Sequence, residues 1–311
     1  MIVLIGGSGF IGNYIASELY KKKINFIILD KKKSKKFKKK TKIVNILNKR
    51  KLTNFIPYRS TIINLAAVHR DNDAIKDYYL VNVKGSENIC EVALKKKCRS
   101  IIFFSTVAIY GKSLPFASEV SPQNPYNHYG ISKAEAEKVY IKWNYKHKKN
   151  NLKIIRPTAV FGKGNRGNIH NLISQIQNGF FFMVGDGSNI KSLAYVENLS
   201  KFTLYLLNYK IKFSVHNYVD GPQISLKELI NFIRRQLNIK TSLRCVPYIF
   251  AFFCGITFDI LSKILNKKFH ISRVRVEKFI SESSYSANLL RYKPRYSLKD
   301  ALKKTILEEF C

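Results

Sequence analysis

The sequence predicts an α/β protein in which a doubly wound parallel sheet is joined to a smaller C-terminal α/β lobe. Short runs of β-branched residues alternate with amphipathic stretches of helix length over the first 157 residues, a pattern typical of parallel strands with crossover helices. A glycine-rich turn links the first run to the first helical stretch. After residue 157 the alternation loosens and glycines crowd one region, which indicates that a second lobe begins there.

Each predicted element has a reason in its composition. The strands are runs of Ile, Val and Phe, and the helices are longer stretches with apolar residues at helical spacing. We expect strands at 2–5, 26–29, 61–66, 101–105, 152–156 and 215–219, and helices at 11–20, 78–94, 132–145 and 225–237. We expect one domain at 1–160 and the second lobe at 161–311, with some interleaving of segments.

Three segments stand outside this pattern. Nine of the twelve residues at 31–42 are Lys, which predicts an exposed, mobile loop. Residues 69–73 are expected to form a loop that enters a helix, capped by Asn72 or Asp73.

The third segment, the apolar stretch at 245–258, is too short to span a bilayer and predicts a buried helix. A helix lying on a membrane surface, giving weak peripheral contact, is the alternative, because lysines follow at 263, 267 and 268.

Charge and cysteine content exclude several classes of protein. The 311 residues include 55 basic and 20 acidic side chains, a formal net charge of +35. The basic residues lie along the whole chain with few aromatics between them, so we expect a charged surface and no nucleic-acid partner.

Five cysteines at spacings that match no zinc site predict reduced thiols, no metal and a cytoplasmic protein. The N-terminus lacks the features of a signal peptide.

The glycine-rich turn predicts a site for a dinucleotide. Gly6, Gly9 and Gly12 directly follow the first strand and open the first helix, where free N–H groups and the helix dipole attract a pyrophosphate. Asp30 ends the second strand, in position to accept hydrogen bonds from ribose hydroxyls. Its charge favours NAD over NADP, although the lysines at 31–33 keep NADP open as the less favoured alternative.

A second group of residues has the character of an acid–base site. Tyr129 and Lys133 are four residues apart, one helical turn, so that both can face the same way. Ser105 and Thr106 lie at the end of a predicted strand, the edge at which ligands of parallel sheets bind. The spacing of Tyr and Lys is not diagnostic by itself, because Tyr145 and Lys149 repeat it.

Taken together, these motifs carry a resemblance. The chain resembles extended short-chain dehydrogenases/reductases of the NAD-dependent nucleotide-sugar epimerase/dehydratase family, whose cofactor domain is a Rossmann fold. The segments that carry the resemblance are residues 6–12, Asp30, residues 64–67, 81–85 and 104–111, Tyr129 with Lys133, and residues 156–157, 185–187 and 195–196.

The resemblance implies a set of cofactor contacts. Phe10 and Ile11 belong to the glycine motif, Leu65, Ala66 and Ala67 border the dinucleotide, Asn82 lies near it, and Tyr129 and Lys133 reach its nicotinamide end. Asn45 and Ile46 replace the usual pair of an Asp and an apolar residue beside adenine. Asn45 keeps a carbonyl oxygen that can accept from the adenine amino group, but without charge.

The resemblance also implies the chemistry. Tyr129 would take the proton of a sugar hydroxyl while a hydride leaves the same carbon, and Thr106 would hydrogen-bond the reacting oxygen with Ser105 as its neighbour. Because the ordinary pKa of tyrosine is about 10, we expect Lys133 and the nicotinamide charge to lower it. Lys133 would also hold the nicotinamide ribose.

One departure from the motifs of the family narrows the choice of reaction. Dehydratases of the family resemble one another in an Asp-Glu pair after the catalytic Thr, and Val107 and Ala108 stand there instead. We therefore expect a nucleotide-sugar 4-epimerase that acts through a transient 4-keto sugar in surface polysaccharide or sugar-nucleotide biosynthesis. A reductase of a 4-keto sugar and a non-catalytic dinucleotide-binding module remain alternatives. The resemblance also implies a homodimer. The expected substrate contacts are Lys191, Asn165, Arg166 and Asn168.

Overall fold

The structure is a computed structural model that describes residues 1–69, 74–112, 115–264 and 279–311. Residues 70–73 of the expected helix-entry loop, and the lysines at 267 and 268, lie outside the described residues. The chain forms two compact units. The first comprises Met1–Val160, Ala194–Asp220 and Tyr285–Arg295, and the second comprises Phe161–Leu193, Gly221–Ser284 and Tyr296–Cys311.

The strands and helices are numbered in chain order. The strands are β1 (Ile2–Ile5), β2 (Phe26–Asp30), β3 (Thr41–Ile43), β4 (Thr61–Asn64), β5 (Ser100–Phe104), β6 (Asn151–Pro157), β7 (Ala159–Phe161), β8 (Met183–Val184), β9 (Ile190–Lys191), β10 (Leu193–Tyr195), β11 (Phe213–Tyr218), β12 (Ile224–Ser225) and β13 (Cys245–Val246). The helices are α1 (Phe10–Lys21), α2 (Lys49–Phe55), α3 (Ile75–Asp77), α4 (Gly85–Lys95), α5 (His128–Tyr145), α6 (Asn168–Gln177), α7 (Val196–Leu207), α8 (Leu226–Gln236), α9 (Tyr248–Ile264) and α10 (Leu298–Glu309).

The first unit is built on a seven-stranded sheet with the order β11-β6-β5-β4-β1-β2-β3. Its strand pairs are parallel, which confirms the predicted doubly wound α/β fold. The chain enters at β1, runs outward to β3, and then returns to β4 on the other side of β1. The strand order therefore reverses between β1 and β4, the place where open parallel sheets bind ligands.

Both faces of this sheet are buried. Successive residues of a strand point to opposite faces, so that Val3 and Ile5 join one hydrophobic cluster while Ile2 and Leu4 join the other. Helices α4 and α5 pack on the first face, and α1 and α7 pack together on the second. This explains why the strands are almost continuously apolar.

The predicted helix at 78–94 is one of the elements that the structure corrects. These residues form a wide π-helical turn over Tyr78–Lys84 and then α4, and the short helix α3 precedes the turn. The π-helical turn buries Tyr78 and Asn82. Turns of this kind are rare within helices and often occur at functional sites, and this one carries a residue that the sequence places near the cofactor.

The lysine-rich segment at 31–42 is likewise not the free loop that its composition predicts. Phe37 is buried, with its ring centroid 5.5 Å from that of Phe26, and the Ser34 hydroxyl donates to Asn13 Oδ1 at 2.9 Å. The segment ends in a 3-10 turn at Lys38–Lys40 and in β3. One aromatic and one hydroxyl side chain anchor a segment whose lysines remain mostly in solvent.

The second unit is smaller and contains short sheets and helices. Strands β9 and β12 pair antiparallel and β8 and β13 pair parallel, while α6 and α10 pack against α8. Helix α8 begins with a capping box in which Ser225 and Glu228 exchange hydrogen bonds.

Most of the apolar stretch at 245–258 is helical, because α9 begins at Tyr248. The prediction that this helix is buried is wrong. At the start of α9, Ile249, Phe250 and Phe253 are mostly exposed, whereas Ala251 is buried. Among the side chains that are described in α9, the exposed ones lie on one side of the helix, which therefore faces solvent. Within the described residues, no helix is long and apolar enough to cross a membrane.

A buried ion pair joins α5 to β6. The Arg156 guanidinium donates to both carboxylate oxygens of Glu137 at 2.9 and 2.7 Å, and its Nη1 also donates to the Tyr110 hydroxyl at 2.7 Å. Both side chains of the pair are nearly inaccessible to solvent. Burial opposes the charge of Arg156, but the hydrogen bonds that it donates to Glu137 and Tyr110 and the attraction of the Glu137 carboxylate hold the pKa of Arg156 above its ordinary value.

We predict that Glu137→Ala lowers the free energy of unfolding by about 3–5 kcal/mol, because it leaves a buried guanidinium without its partner. The matched control is Glu91→Ala, which breaks an exposed ion pair to Lys49 and should cost about 0–1 kcal/mol. Denaturant unfolding followed through the fluorescence of Trp143, a buried side chain on α5, measures both. Equal losses in the two variants would contradict the prediction.

Candidate active site

The glycine turn lies where β1 meets α1. Gly6 has a φ of +75°, and its N–H donates to the Leu29 carbonyl at 2.8 Å. A Cβ at Gly6 would lie 2.6 Å from the backbone nitrogen of Ala66. Only glycine combines this left-handed conformation with so close an approach of the loop after β4.

The other two glycines of the motif have different tasks. A Cβ at Gly12 would lie 2.5 Å from Gly7 Cα, so Gly12 lets the helix pack against the turn. Gly9 is exposed and caps α1 without a side-chain hydrogen bond, and a Cβ there would meet only the Gly6 carbonyl, at 3.3 Å. The space in front of Gly9 and the first N–H groups of α1 fit a pyrophosphate.

The first turn of α1 is held in place by apolar contacts. The ring of Phe10 lies 5.5 Å from that of Tyr14, edge to face, and Ile11 packs against one of the two buried clusters of the sheet. These two residues of the motif therefore fix the direction of the helix whose N-terminus faces the turn.

Asp30 lies directly beside the glycine turn. Its Oδ2 accepts from the Ser8 backbone N–H at 2.9 Å and its Oδ1 accepts from the Lys32 N–H at 3.0 Å. A carboxylate retains further acceptor positions after two such bonds. The side chain is thus fixed at the end of β2 and able to accept ribose hydroxyls, which fits NAD.

The loop after β4 forms the opposite wall of the turn. Asn64 is buried, and its Oδ1 accepts from the Ala66 N–H at 3.1 Å while its Nδ2 donates to the Tyr140 hydroxyl at 2.7 Å. Leu65, Ala66 and Ala67 follow as partly exposed residues. The close approach of Ala66 to Gly6 places this loop against the site predicted for the dinucleotide.

Asn82 ties this loop to the helix that carries the reactive residues. Its Oδ1 accepts from the Val68 N–H at 2.9 Å, and its Nδ2 donates to the Val68 carbonyl at 3.0 Å and to the Ser132 hydroxyl at 2.9 Å. Both amide hydrogens are therefore used within the protein. The sequence indicated that Asn82 lies near the cofactor, but it contained no signal for its partner Ser132.

Of the two residues expected beside adenine, one is exposed and the other is buried. Asn45 is exposed, and its Oδ1 accepts from the Leu47 N–H at 3.0 Å, which leaves one lone pair of that oxygen. Ile46 is buried, and a side chain at Gly85 would lie 2.3 Å from its Cδ1. Ile46 thus packs against the start of α4, while Asn45 is available to a ligand.

Thr106 and Tyr129 meet at the carboxyl end of β5. Thr106 Oγ1 accepts from the Ala108 N–H at 3.1 Å, and the Thr106 side chain is near enough to the Tyr129 phenol to lower the pKa of that group. Helix α5 begins earlier than predicted because the Asn127 side chain accepts from the Gly130 N–H at 2.7 Å. This cap brings Tyr129 into the first turn of the helix.

Lys133 lies one turn further along α5 and is buried. Its Nζ donates to the Phe104 carbonyl at 2.5 Å and lies 4.1 Å from the centroid of the Phe103 ring. Burial lowers the pKa of Lys133 to about 7, and the nearby Glu137 carboxylate opposes this shift.

The expectation that Lys133 lowers the pKa of Tyr129 is wrong for the protein alone. Burial raises the pKa of Tyr129 above its ordinary value, and the Thr106 side chain offsets only part of that rise. The physical reason is that the Lys133 amine is directed at the Phe104 carbonyl, so desolvation of the phenolate is the larger effect.

Ser105 supplies an unusual hydroxyl at the same strand end. Its N–H donates to the Ile155 carbonyl at 2.7 Å, but its Oγ is buried and has no hydrogen-bond partner among the described residues. Buried hydroxyls without partners are rare in folded proteins. Next to Thr106, this one is a candidate for contact with a bound ligand.

The four expected substrate contacts belong to the second unit. Lys191 Nζ donates to the Ser281 carbonyl at 2.7 Å, and burial lowers the pKa of Lys191 to about 8. Asn165 Oδ1 accepts from the Gly167 N–H at 2.6 Å, Arg166 forms an ion pair with Glu309, and Asn168 is the first residue of α6. The loop before α6 is therefore held by a hydrogen bond within the loop and by an ion pair to α10.

These features define a class of protein. A Rossmann unit with this glycine turn, an acidic residue at the end of β2 and a Thr–Tyr–Lys group is that of an extended short-chain dehydrogenase/reductase. The sequence profile described as "NAD dependent epimerase/dehydratase family" matches residues 2–218. The chain belongs to this family, as its resemblance predicted, and its cofactor is NAD.

Individual relatives extend this result. An N-acetyl-alpha-D-glucosaminyl-diphospho-ditrans,octacis-undecaprenol 4-epimerase of Escherichia coli O157:H7 is 38% identical over 315 residues, 99% of this chain and 95% of the relative. A UDP-glucose 4-epimerase of Vibrio cholerae is 25% identical over 318 residues, 98% of this chain and 94% of the relative.

Solved structures share the fold. A UDP-Glc/GlcNAc 4-epimerase from Campylobacter jejuni superposes with a TM-score of 0.77 at 21% identity, covering 100% of this chain and 99% of the other. A UDP-glucose 4-epimerase of Thermus thermophilus in complex with NAD gives a TM-score of 0.76 at 18% identity, covering 99% of this chain and 98% of the other. The resemblance in fold thus extends over the full length of the chain.

The three glycines allow a sharp test of the cofactor site. We predict that Gly9→Val abolishes retention of NAD with little loss of stability, because the new side chain would enter the space in front of α1 and its Cβ would approach only the Gly6 carbonyl oxygen, at 3.3 Å. The measurement is the dinucleotide content of the purified protein, together with its unfolding midpoint.

Gly6→Ala is the matched control, because it should act on the fold instead. Its Cβ would clash with the Ala66 backbone at a φ of +75°, so the unfolding midpoint should fall. Wild-type dinucleotide content in Gly9→Val would contradict the assignment of the turn.

Proposed function

We propose that this protein is an NAD-dependent 4-epimerase of a hexose linked to a carrier through a diphosphate, acting through a transient 4-keto sugar. The observation that carries the proposal is the attachment of α5 to the end of β5, where Lys133 Nζ donates to the Phe104 carbonyl. This contact brings Lys133, with Tyr129 one turn before it on the same helix, to the strand end that continues into Ser105 and Thr106. The relative that is 38% identical over 99% of this chain is itself a 4-epimerase.

The proposed cofactor contacts follow from the geometry of the first unit. The pyrophosphate would lie in front of Gly9 at the N-terminus of α1, and the adenosine ribose would hydrogen-bond Asp30. The loop with Leu65, Ala66 and Ala67 would line the bound molecule, and Lys133 would hold the nicotinamide ribose. When bound, the oxidised dinucleotide supplies a hydride acceptor and a positive charge.

The protein's own part in the reaction is proton transfer and positioning. Tyr129 accepts the proton of the C4 hydroxyl as the carbon is oxidised, and returns it to the oxygen when the other face of the ketone is reduced. Thr106 hydrogen-bonds the same oxygen. The hydroxyl of the neighbouring residue Ser105, which has no hydrogen-bond partner among the described residues, is the second candidate for this bond. Proton and electron pair both return to the sugar, so the net reaction is an inversion.

The carrier is the finer part of the proposal. We propose N-acetylglucosamine on undecaprenyl diphosphate as the first substrate to test, because the Escherichia coli relative is named for it, and UDP-N-acetylglucosamine as the second. Both present a sugar diphosphate, and the basic side chains of Lys191 and Arg166, with Asn165 and Asn168, are the proposed contacts of that group. Either product would be a precursor for surface polysaccharide.

Two features of the proposal rest on sequence alone. A homodimer is implied by the resemblance to the family, and a cytoplasmic location is predicted from the cysteines. The described cysteines are consistent with free thiols.

An assay of products separates epimerisation from reduction. We predict that the purified protein interconverts the 4-epimers of at least one of the two N-acetylglucosamine substrates with no dinucleotide added, because the hydride returns to the same sugar. Chromatography of the products, with absorbance at the reduced-nicotinamide wavelength, follows both quantities. Stoichiometric consumption of added reduced dinucleotide, with a single reduced product, would establish the reductase instead.

The assignment of the base has a matched control on the same helix. We predict that Tyr129→Phe lowers turnover by at least about 100-fold, within the range expected for loss of a general acid–base group, and leaves the dinucleotide content unchanged. Tyr145→Phe removes the hydroxyl from the other Tyr–Lys pair, whose tyrosine ends α5 and is 76% exposed, and should leave turnover unchanged. Comparable turnover in the two variants would refute the assignment.

A further inference from the structure

An apolar face is open to solvent at the start of α9. Ile249, Phe250 and Phe253 are 68%, 64% and 62% exposed. Their spacing puts them on one side of the helix, and Ala251, on the opposite side, is 8% exposed. The side of the helix that faces solvent thus carries large apolar side chains. A helix at a protein surface ordinarily turns its apolar side towards the core.

A second apolar segment reaches the surface beside the strand that leads into α9. The register of β8 and β13 pairs Met183 with Cys245, and the Arg244 guanidinium lies 5.9 Å from the centroid of the Phe182 ring. Phe180 and Phe182 are 75% and 46% exposed. We define the α9 patch as Phe180, Phe182, Tyr248, Ile249, Phe250 and Phe253.

The segment that leads into α9 is basic, and one of its basic residues, Arg244, lies against Phe182 of the patch. Residues 229–258 contain four basic residues and no acidic one, and Glu228 and Asp259 flank this stretch. Of the four, Arg235, Lys240 and Arg244 are exposed, and Arg234 donates to the Thr241 carbonyl. The acidic residue that follows β8, Asp186, accepts hydrogen bonds from Ser188.

We propose that the α9 patch docks this protein on the surface of a bilayer that contains anionic lipids. Aromatic and aliphatic side chains beside basic ones are the composition that enters the interfacial region of a membrane, and each basic residue near an anionic surface adds to the attraction. A second copy of the chain is a poorer occupant, because a symmetric contact would bring the same basic residues of two chains together.

Docking does not depend on the reaction that the site performs. A substrate whose carrier is a polyprenyl lipid would lie in the same membrane, so the two proposals support each other, but each has its own test. Vesicle binding measures docking without any substrate, and the epimerase assay with a nucleotide sugar measures turnover without any membrane.

The test is co-sedimentation of the full chain with phosphatidylcholine vesicles, with and without phosphatidylglycerol. We expect binding to the anionic vesicles that weakens as salt is raised, and that falls at least about tenfold in Ile249→Glu and in Phe253→Glu, since each removes an apolar side chain from the interface. The matched control is Ile211→Glu, an isoleucine of the first unit that is 48% exposed, which should bind as the wild type does.

Three results would overturn the proposal. They are no binding to anionic vesicles, equal loss of binding in Ile211→Glu, and a change of oligomeric state in Ile249→Glu with vesicle binding intact, which would make the α9 patch an interface between copies. An unchanged unfolding midpoint, together with retained dinucleotide, shows that both units of each variant are folded, so a loss of binding is then a property of the patch.

Discussion

The attachment of one helix face to three strands is the constraint on which the rest of the site depends. Three buried polar side chains of α5 follow one another at spacings of four and three residues. Each forms a hydrogen bond with a residue of a different strand. The three contacts are Lys133 with the Phe104 carbonyl on β5, Glu137 with Arg156 on β6, and Tyr140 with Asn64 on β4. Buried polar groups are costly unless they are paired, so the helix has one position in which all three are satisfied, and in that position Tyr129 meets Thr106.

This arrangement explains the electrostatic state of the site. The same burial that fixes α5 raises the pKa of Tyr129 and lowers that of Lys133, so the protein by itself disfavours both the phenolate and the ammonium. When bound, the oxidised dinucleotide would add a positive charge that favours the phenolate, and so would help to supply the base that the proposed reaction needs. An acid–base pair that becomes active only when the cofactor is present would protect the site from unproductive proton transfer.

The sequence predicted those features that are set by local pattern. The glycine turn, the strands and Asp30 follow from hydrophobic runs and the residues that end them. Tyr129 and Lys133 follow from their place after the strand end at Ser105 and Thr106 and from the resemblance to the family, since their spacing alone is not diagnostic. Contacts between distant segments left no such signal. The bonds of Asn82 to Val68 and Ser132 span 14 and 50 residues, and the anchoring of Phe37 depends on a strand elsewhere in the chain. The exposure of α9 could not be predicted either, because an apolar run looks the same whether one side or both sides are covered.

The most direct test of this account is the pKa of Tyr129 itself, measured with and without NAD. The Tyr129 resonance, assigned by its loss in Tyr129→Phe, can be followed by NMR across a pH titration of protein labelled at the tyrosine ring carbon that bears the hydroxyl. The account predicts a pKa above the ordinary value in the protein stripped of dinucleotide, and a clear fall when oxidised NAD is bound. A pKa that is the same in both states would contradict it.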